Sequence, residues 1–214
     1  MGRCSDARDR LLATAAKLLH ERGYTAVSVS DICDEAGLKK GSFYHFFASK
    51  QALALATLDG YAEGNRRRIQ ALLEAPGGVR EKLRGMFTGM YEGCRARHES
   101  QTGRLLGCPI GNLASEMAGR DPEITAKLES IFGEWRDSLR RLLIEGNDSG
   151  ELHLADPAAA AESLVAMIEG ATLLARTMSD PEIIRRLSDR AISLLEPVTA
   201  VAPGDAPSPR VPAS

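Results

Sequence analysis

Residues 38–50 form a short segment that is both basic and aromatic. Lysines can neutralise phosphates, and hydroxyl, phenol and imidazole groups can bind phosphate oxygens or base edges. The segment follows a short helical pattern over residues 30–36, across a turn at Gly37, which is the layout of a helix-turn-helix. We therefore predict that a helix over residues 40–46 enters the DNA major groove. The candidate contact residues are Lys39, Lys40, Gly41, Ser42, Phe43, Tyr44, His45 and Lys50.

Cys108 is the second residue whose type and position suggest chemistry. It precedes Pro109 at the predicted start of a helix, where a thiol would meet unpaired backbone N–H groups and the positive end of the helix dipole. Both stabilise the thiolate, so we expect a low pKa and high reactivity. The competing interpretation is a buried small residue that shapes a turn, and the sequence leaves both open.

The remaining chain supplies the elements that must position these residues. Apolar residues recur at helical spacing throughout, which predicts an all-α protein of about nine helices. Ser30 is predicted to cap the second helix, and Asp-Pro pairs at residues 121, 156 and 180 predict three later helix starts. We expect a DNA-binding domain over residues 1–50, a helical sensor and dimerisation domain over residues 51–196, and a disordered Pro- and Ala-rich tail over residues 197–214.

Two features of the second domain predict partners. The helix that begins after Asp156 is apolar nearly all round, so with the following helix it predicts a four-helix bundle between two copies. Adaptable methionines and aromatic side chains further suggest a cavity for a small molecule. The candidate lining residues are Met86, Met90, Tyr91, Met117, Trp135 and Met167.

Composition limits the possible classes of protein. The 214 residues are 43% hydrophobic and 26% charged, with a net charge of −2 that excludes a general polyanion binder. Residues 1–50 carry eight basic against six acidic residues, which favours DNA contact at that end. The sequence contains no signal-peptide pattern and no apolar run of the ~20 residues that cross a bilayer. We expect a cytoplasmic protein with no membrane partner, metal or cofactor.

The spacing of residues 23–53 resembles the DNA-binding domain of the tetracycline-repressor (TetR) family of transcriptional regulators. The resemblance rests on Gly23-Tyr24, Val29-Ser30-Asp31-Ile32-Cys33, Ala36-Gly37-Leu38, Lys40-Gly41-Ser42-Phe43-Tyr44-His45-Phe46-Phe47 and Ser49-Lys50-Gln51-Ala52-Leu53. It implies an amino-terminal helix-turn-helix joined to a ligand-sensing and dimerising domain. It also implies an exposed Phe43 that meets base methyls or sugars, although a core position competes. Lys39 departs from the usual Ser or Ala, which weakens the cap of the recognition helix.

Residues 107–116 resemble the Gly-Cys element of the TetR branch that senses N-ethylmaleimide, bleach and reactive carbonyl compounds. In that branch a basic residue late in the penultimate helix lies close to the reactive cysteine, and Arg176 occupies the matching position here. The resemblance implies that an arginine would favour the thiolate of Cys108.

These observations favour a repressor that binds a palindromic operator as a homodimer and is released by a small molecule or by modification of Cys108. Induction without the cysteine is an alternative within the same family. An enzyme with Cys108 as nucleophile is a weaker one, because its only candidate bases, His98 and His153, lie in no catalytic pattern. A helical dimer that acts only through protein contacts would leave Lys39, Lys40 and Lys50 unexplained.

Overall fold

A computed structural model describes residues 2–100, 104–193 and 195, which form nine α-helices and no strand. The helices are α1 (Gly2–Arg22), α2 (Val29–Ala36), α3 (Lys40–Phe46), α4 (Lys50–Glu74), α5 (Val79–Ser100), α6 (Pro109–Met117), α7 (Pro122–Asp148), α8 (Pro157–Met178) and α9 (Glu182–Ser193). The predicted all-α fold is confirmed. The tail predicted to be disordered, residues 197–214, lies outside the described residues.

Helices α1 to α3 and the first turn of α4 enclose one buried apolar cluster. Its members include Leu11, Ala15, Leu18, Ile32, Phe43, Phe47 and Leu53. Helix α1 ends at Gly23, whose φ of +86° is a left-handed conformation that glycine adopts without strain. Gly37, with φ +63°, ends α2 in the same way and makes the turn into α3.

The start of α2 differs from the prediction. Ser28, not Ser30, is the N-cap: its Oγ accepts a hydrogen bond from Asp31 N at 3.1 Å, and Asp31 Oδ2 accepts one from Ser28 N at 2.8 Å. This reciprocal pair is a capping box. It places the first turn of α2 two residues earlier than the sequence pattern suggested.

Helices α5, α7, α8 and α9 pack into the second half of the molecule, with their largest contacts between α7 and α8 and between α5 and α9. The Asp-Pro helix starts are confirmed for α7 and α8: Asp121 accepts from Glu123 N and Ile124 N, and Asp156 accepts from Ala158 N and Ala159 N. Helix α4 connects the halves, because its first turns join the cluster around Phe43 and Leu58 joins that of α6 and α7.

The helices packed against α8 cover only part of its apolar surface. Leu164, Ile168 and Ala175 are buried, whereas Leu173, Leu174 and Met178 are 58%, 42% and 64% exposed. The helix has the length and composition of a membrane span, so the prediction that no such run exists is wrong. A core helix of a soluble protein meets the same criterion, and α8 packs along α7 and α9.

Candidate nucleic-acid interface

Phe43 anchors α3 to the amino-terminal core. Its side chain is 0% exposed and its ring contacts those of Tyr44, at 5.2 Å between centroids, and Phe47, at 6.0 Å. The exposed position that the family resemblance implied for Phe43 is therefore wrong. In a seven-residue helix, one large aromatic residue provides the apolar area needed to hold the helix against α1 and α2.

The opposite side of α3 is open to solvent. Lys39, Lys40, Gly41 and His45 are exposed, and Tyr44 is 58% exposed although its ring edge rests on Phe43. Ser42 is half-buried. Apart from its chain neighbours and the backbone of α3 itself, a Cβ added to Gly41 would have no atom of the described chain within 4 Å, so close packing against α2 does not require this glycine. The small residue leaves space on the outer side of α3 instead.

The N-terminus of α3 lacks a side-chain cap. Lys39 has the extended backbone of an N-cap residue, with φ −83° and ψ 152°, but its side chain accepts no hydrogen bond. The weakened cap that the sequence predicted is confirmed. The first amides of α3 therefore have no side-chain acceptor, and the exposed residues Lys39 and Lys40 stand at the same end of the helix, an arrangement that attracts anions.

Lys50 makes structural contacts, and its phosphate contact stays a prediction. Its Nζ donates to the carbonyl oxygens of Tyr24 and Val27, both at 2.9 Å, and lies 4.1 Å from the centre of the Tyr24 ring. Partial burial lowers the pKa of Lys50. Because Lys50 is the first residue of α4, these hydrogen bonds attach the loop between α1 and α2 to the start of that helix.

Five hydrogen bonds connect the amino-terminal helices and the loop between α1 and α2 to α6, α7 and the residues that precede these two helices. His20 Nε2 is 3.0 Å from Gly107 O, just before α6, and Gln51 Nε2 donates to both carboxylate oxygens of Asp121 at 3.0 and 2.9 Å. At the far end of α6, Glu116 accepts from the backbone N–H groups of Tyr24 and Thr25. Sequence reasoning missed Glu116, because it lies more than ninety residues from the amides that it binds.

Cys108 is the N-cap of α6, as predicted, but its environment does not favour the thiolate. Gly111 N donates to Sγ at 3.4 Å, a contact that lowers the pKa. Burial and the carboxylate of Glu169 outweigh it and raise the pKa of the Cys108 thiol to about 12. The expected low pKa is therefore wrong, because the argument from the helix terminus alone ignored desolvation and a charge from α8.

Glu169 takes the position near Cys108 that the resemblance assigned to Arg176. Its carboxylate overlies Gly111, where an added Cβ would collide with Oε2, and its Oε1 is buried without a hydrogen-bond partner among the described residues. Burial raises the pKa of Glu169. The Arg176 guanidinium instead donates to Asn112 Oδ1 at 2.7 Å, and the aliphatic part of the same side chain packs over Gly107. Arg176 thus connects α8 to α6 through Asn112, and its influence on the thiol stays a prediction.

The six residues predicted to line one cavity are distributed over three apolar clusters. Met86, Met90, Trp135 and Met167 pack in the largest cluster, Met117 in that of α6 and α7, and Tyr91 beside α9. Among the described residues, the structure has a groove of about 200 Å³ between α4 and α7, which Trp135 borders. A second groove, of about 550 Å³, lies between α6, α7 and α8. Of the six residues, Trp135 borders one of these two grooves, and a pocket lined by all six stays a prediction.

Comparison with known proteins assigns both halves of the chain. Residues 11–57 match the bacterial regulatory proteins of the tetR family, and residues 80–191 match the tetracyclin repressor-like C-terminal domain. The transcriptional regulator AcuR of Cereibacter sphaeroides is 34% identical over 178 residues, covering 82% of this chain and 79% of its own. The transcriptional repressor NemR of Escherichia coli is 28% identical over 178 residues, covering 80% and 84%.

A solved structure of similar sequence has the same fold. The regulatory protein TetR from Rhodobacter sphaeroides superposes with a TM-score of 0.79 at 31% identity, covering 87% of this chain and 97% of that one. The similarity includes both the helix-turn-helix and the helical domain that follows it. The chain belongs to the TetR family of bacterial transcriptional regulators.

Proposed function

We propose that this regulator binds a palindromic operator as a homodimer and represses transcription until a small molecule releases it. DNA-binding regulation is the function of its family, whose members are not enzymes. The observation that carries the proposal is the division of α3, with Phe43 buried and Lys39, Lys40, Tyr44 and His45 exposed. The DNA contacts that we propose are made by these four exposed residues together with Gly41 and Ser42. A cytoplasmic location follows from this function.

The exposed apolar side of α8 supports the homodimer. Leu173, Leu174 and Met178 lie on one half of the helix, while the same side of its other half carries small residues such as Ala159, Ser163 and Ala166. A two-fold axis across α8 would pack the large residues of each copy against the small residues of the other. The dimer, with α9 beside α8, would hold two copies of α3 about one DNA turn (~34 Å) apart.

Release requires that a ligand move α6, because this short helix contacts both α8 and the DNA-binding region. The groove of about 550 Å³ adjoins α6 through Ala114 and Ala118 and is lined mainly by apolar atoms. Modification of Cys108 is the second candidate for release, because the thiol lies where α6 meets Glu169 of α8. Its raised pKa makes it a slow nucleophile, so we propose the non-covalent ligand as the principal inducer.

Selection of bound sites from random DNA tests the proposal. We expect a palindrome, bound with an affinity that falls steeply as salt increases, because Lys39 and Lys40 release counterions from the phosphates. The variant Tyr44→Ala should select the same half-sites more weakly. A protein that stayed monomeric and bound no duplex at low salt would contradict the proposal.

A further inference from the structure

The loop between α1 and α2 is held by a carboxylate from the regulatory domain. Glu116, in the last turn of α6, accepts hydrogen bonds from Tyr24 N at 2.7 Å and Thr25 N at 2.6 Å. A single carboxylate therefore binds two consecutive amides, one with each oxygen. Hydrogen bonds to an ionised acceptor are among the strongest in proteins.

Gly23 makes room for this contact. A Cβ at residue 23 would lie 2.8 Å from Glu116 Oε2, closer than side-chain atoms normally approach. The left-handed backbone at Gly23 and the position of Glu116 thus both require glycine. The end of α1 is shaped to receive a group from α6, 93 positions later in the chain.

The same loop is bound from its other side by α4. Lys50 takes the carbonyl oxygens of Tyr24 and Val27, so the loop's amides bind the anion and its carbonyls bind the cation. Although burial opposes ionisation, hydrogen bonds from Thr25 and Tyr24 and the charge of Lys50 hold the pKa of Glu116 below its usual value. The contact is therefore ionic at neutral pH.

The loop leads directly into the helix-turn-helix. Ser28, three residues after Thr25, is the N-cap of α2, and α2 and α3 share the core around Phe43. A displacement of the C-terminal end of α6 would therefore be transmitted to the first turn of α2 through the short segment from Thr25 to Ser28. The side chain of Tyr24 also packs on both apolar clusters, that of α1 to α3 and that of α6 and α7.

We infer that Glu116 is the positioning residue that fixes the helix-turn-helix relative to α6 and thereby sets the operator spacing that the dimer accepts. This inference rests on the proposed function. In a dimer, a helix-turn-helix that rotates about a loosened loop would tolerate half-sites at several separations. With the Glu116 contact intact, we expect one separation to be preferred.

The experiment compares wild type with Glu116→Gln on palindromes whose half-site separation varies one base pair at a time. Gln keeps the volume but loses the charge and one of the two acceptors, so the preference between the best and neighbouring separations should fall by about 10-fold. Glu116→Asp, which keeps the charge but is one methylene shorter, should behave in the same way. Glu92→Gln, at an exposed position of α5 away from both grooves, is the control. An unchanged spacing preference in both Glu116 variants would overturn the inference.

A second measurement does not depend on DNA. Amide hydrogen exchange over residues 24–36 should accelerate about 10-fold in Glu116→Gln, because those amides lose their acceptor and α2 its anchor, while residues 122–193 stay unchanged. If wild type binds no palindrome, the proposed function fails, yet the exchange result still decides whether Glu116 fixes this region. Equal exchange in wild type and variant would reject that role.

Discussion

Helices α3 and α8 each leave one side uncovered, and the two sides differ in chemistry. On α3 the uncovered residues are basic or hydrogen-bonding, and the single large apolar residue, Phe43, is buried. On α8 the uncovered residues include Leu173, Leu174 and Met178, and the charged Glu169 faces inward against α6. An uncovered face thus indicates a partner, and its composition indicates whether that partner is a polyanion or another apolar surface.

The largest expected effect comes from substituting one residue on the buried side of α3 and comparing it with a substitution on the exposed side. Phe43→Ala should lower the free energy of unfolding by about 3–5 kcal/mol, because it empties the centre of the amino-terminal core. Tyr44→Ala should cost only about 1 kcal/mol, the value of its edge contact with Phe43, but should weaken operator binding. Thermal unfolding and duplex titration separate the two variants. Equal destabilisation by both would mean that α3 has no functional side.

A charge on the uncovered side of α8 should separate the proposed dimer. Leu173→Glu would bury a carboxylate in an apolar interface, and we expect the dissociation constant to rise at least 30-fold, which corresponds to about 2 kcal/mol. Sedimentation velocity over a concentration series measures it. His153→Glu, on the exposed loop before α8, adds the same negative group elsewhere and should leave the association unchanged. A Leu173→Glu protein that remained fully dimeric would locate the interface away from this face.

The inward side of α8 can be tested through the Cys108 thiol. With a pKa of about 12, roughly one thiol in 10,000 is ionised at pH 8, so alkylation by N-ethylmaleimide should be slow. Glu169→Gln removes the negative charge beside Sγ, lowers the pKa of Cys108 and should accelerate the reaction about 10-fold. Mass spectrometry of the Cys108 peptide gives the rate, with Glu162→Gln on the exposed side as the control. A faster wild type than variant would restore the interpretation of Cys108 as an activated thiol.

The smallest expected effect concerns the uncapped start of α3. Lys39→Ser should stabilise the protein by about 1 kcal/mol, because a serine hydroxyl can accept from the first amides of the helix. The same change removes a charge, so the slope of log affinity against log salt should become shallower by about 1. Lys39→Gln removes the charge without providing a good cap, and it should alter the salt slope alone. A salt slope unaffected by both substitutions would remove Lys39 from the contact set.

Local features of the fold followed from the sequence because their causes are local. Asp121-Pro122 and Asp156-Pro157 begin α7 and α8, since cap and first turn lie within four residues. The capping box at Ser28 carried an equally local signal, an acid three residues later, which the choice of Ser30 overlooked. Phe43 lies one helical turn before Phe47, a spacing that is compatible with a shared buried side, but the family resemblance favoured an exposed Phe43.

The chemistry of the site was harder to predict from the sequence, because it depends on residues that are distant in the chain. The pKa of Cys108 is raised by burial and then by Glu169, which is sixty-one residues away, and the carbonyls that Lys50 binds belong to a loop more than twenty residues earlier. The cavity prediction meets a related difficulty. A methionine or aromatic side chain has the same apolar character whether it borders an opening or fills a core, and residue type alone does not distinguish the two.

Asp121 has a consequence beyond the helix that it begins. Four residue types serve almost equally at such a position when only the first amides must be satisfied. Here both oxygens of the Asp121 carboxylate also accept a hydrogen bond from the side-chain amide of Gln51, which lies seventy positions earlier. Serine and threonine, whose single hydroxyl is already used by the amides, cannot reach a second donor. Gln51, in the first turn of α4, therefore restricts the residue types that can serve as the N-cap of α7 to those whose side chain ends in two polar atoms.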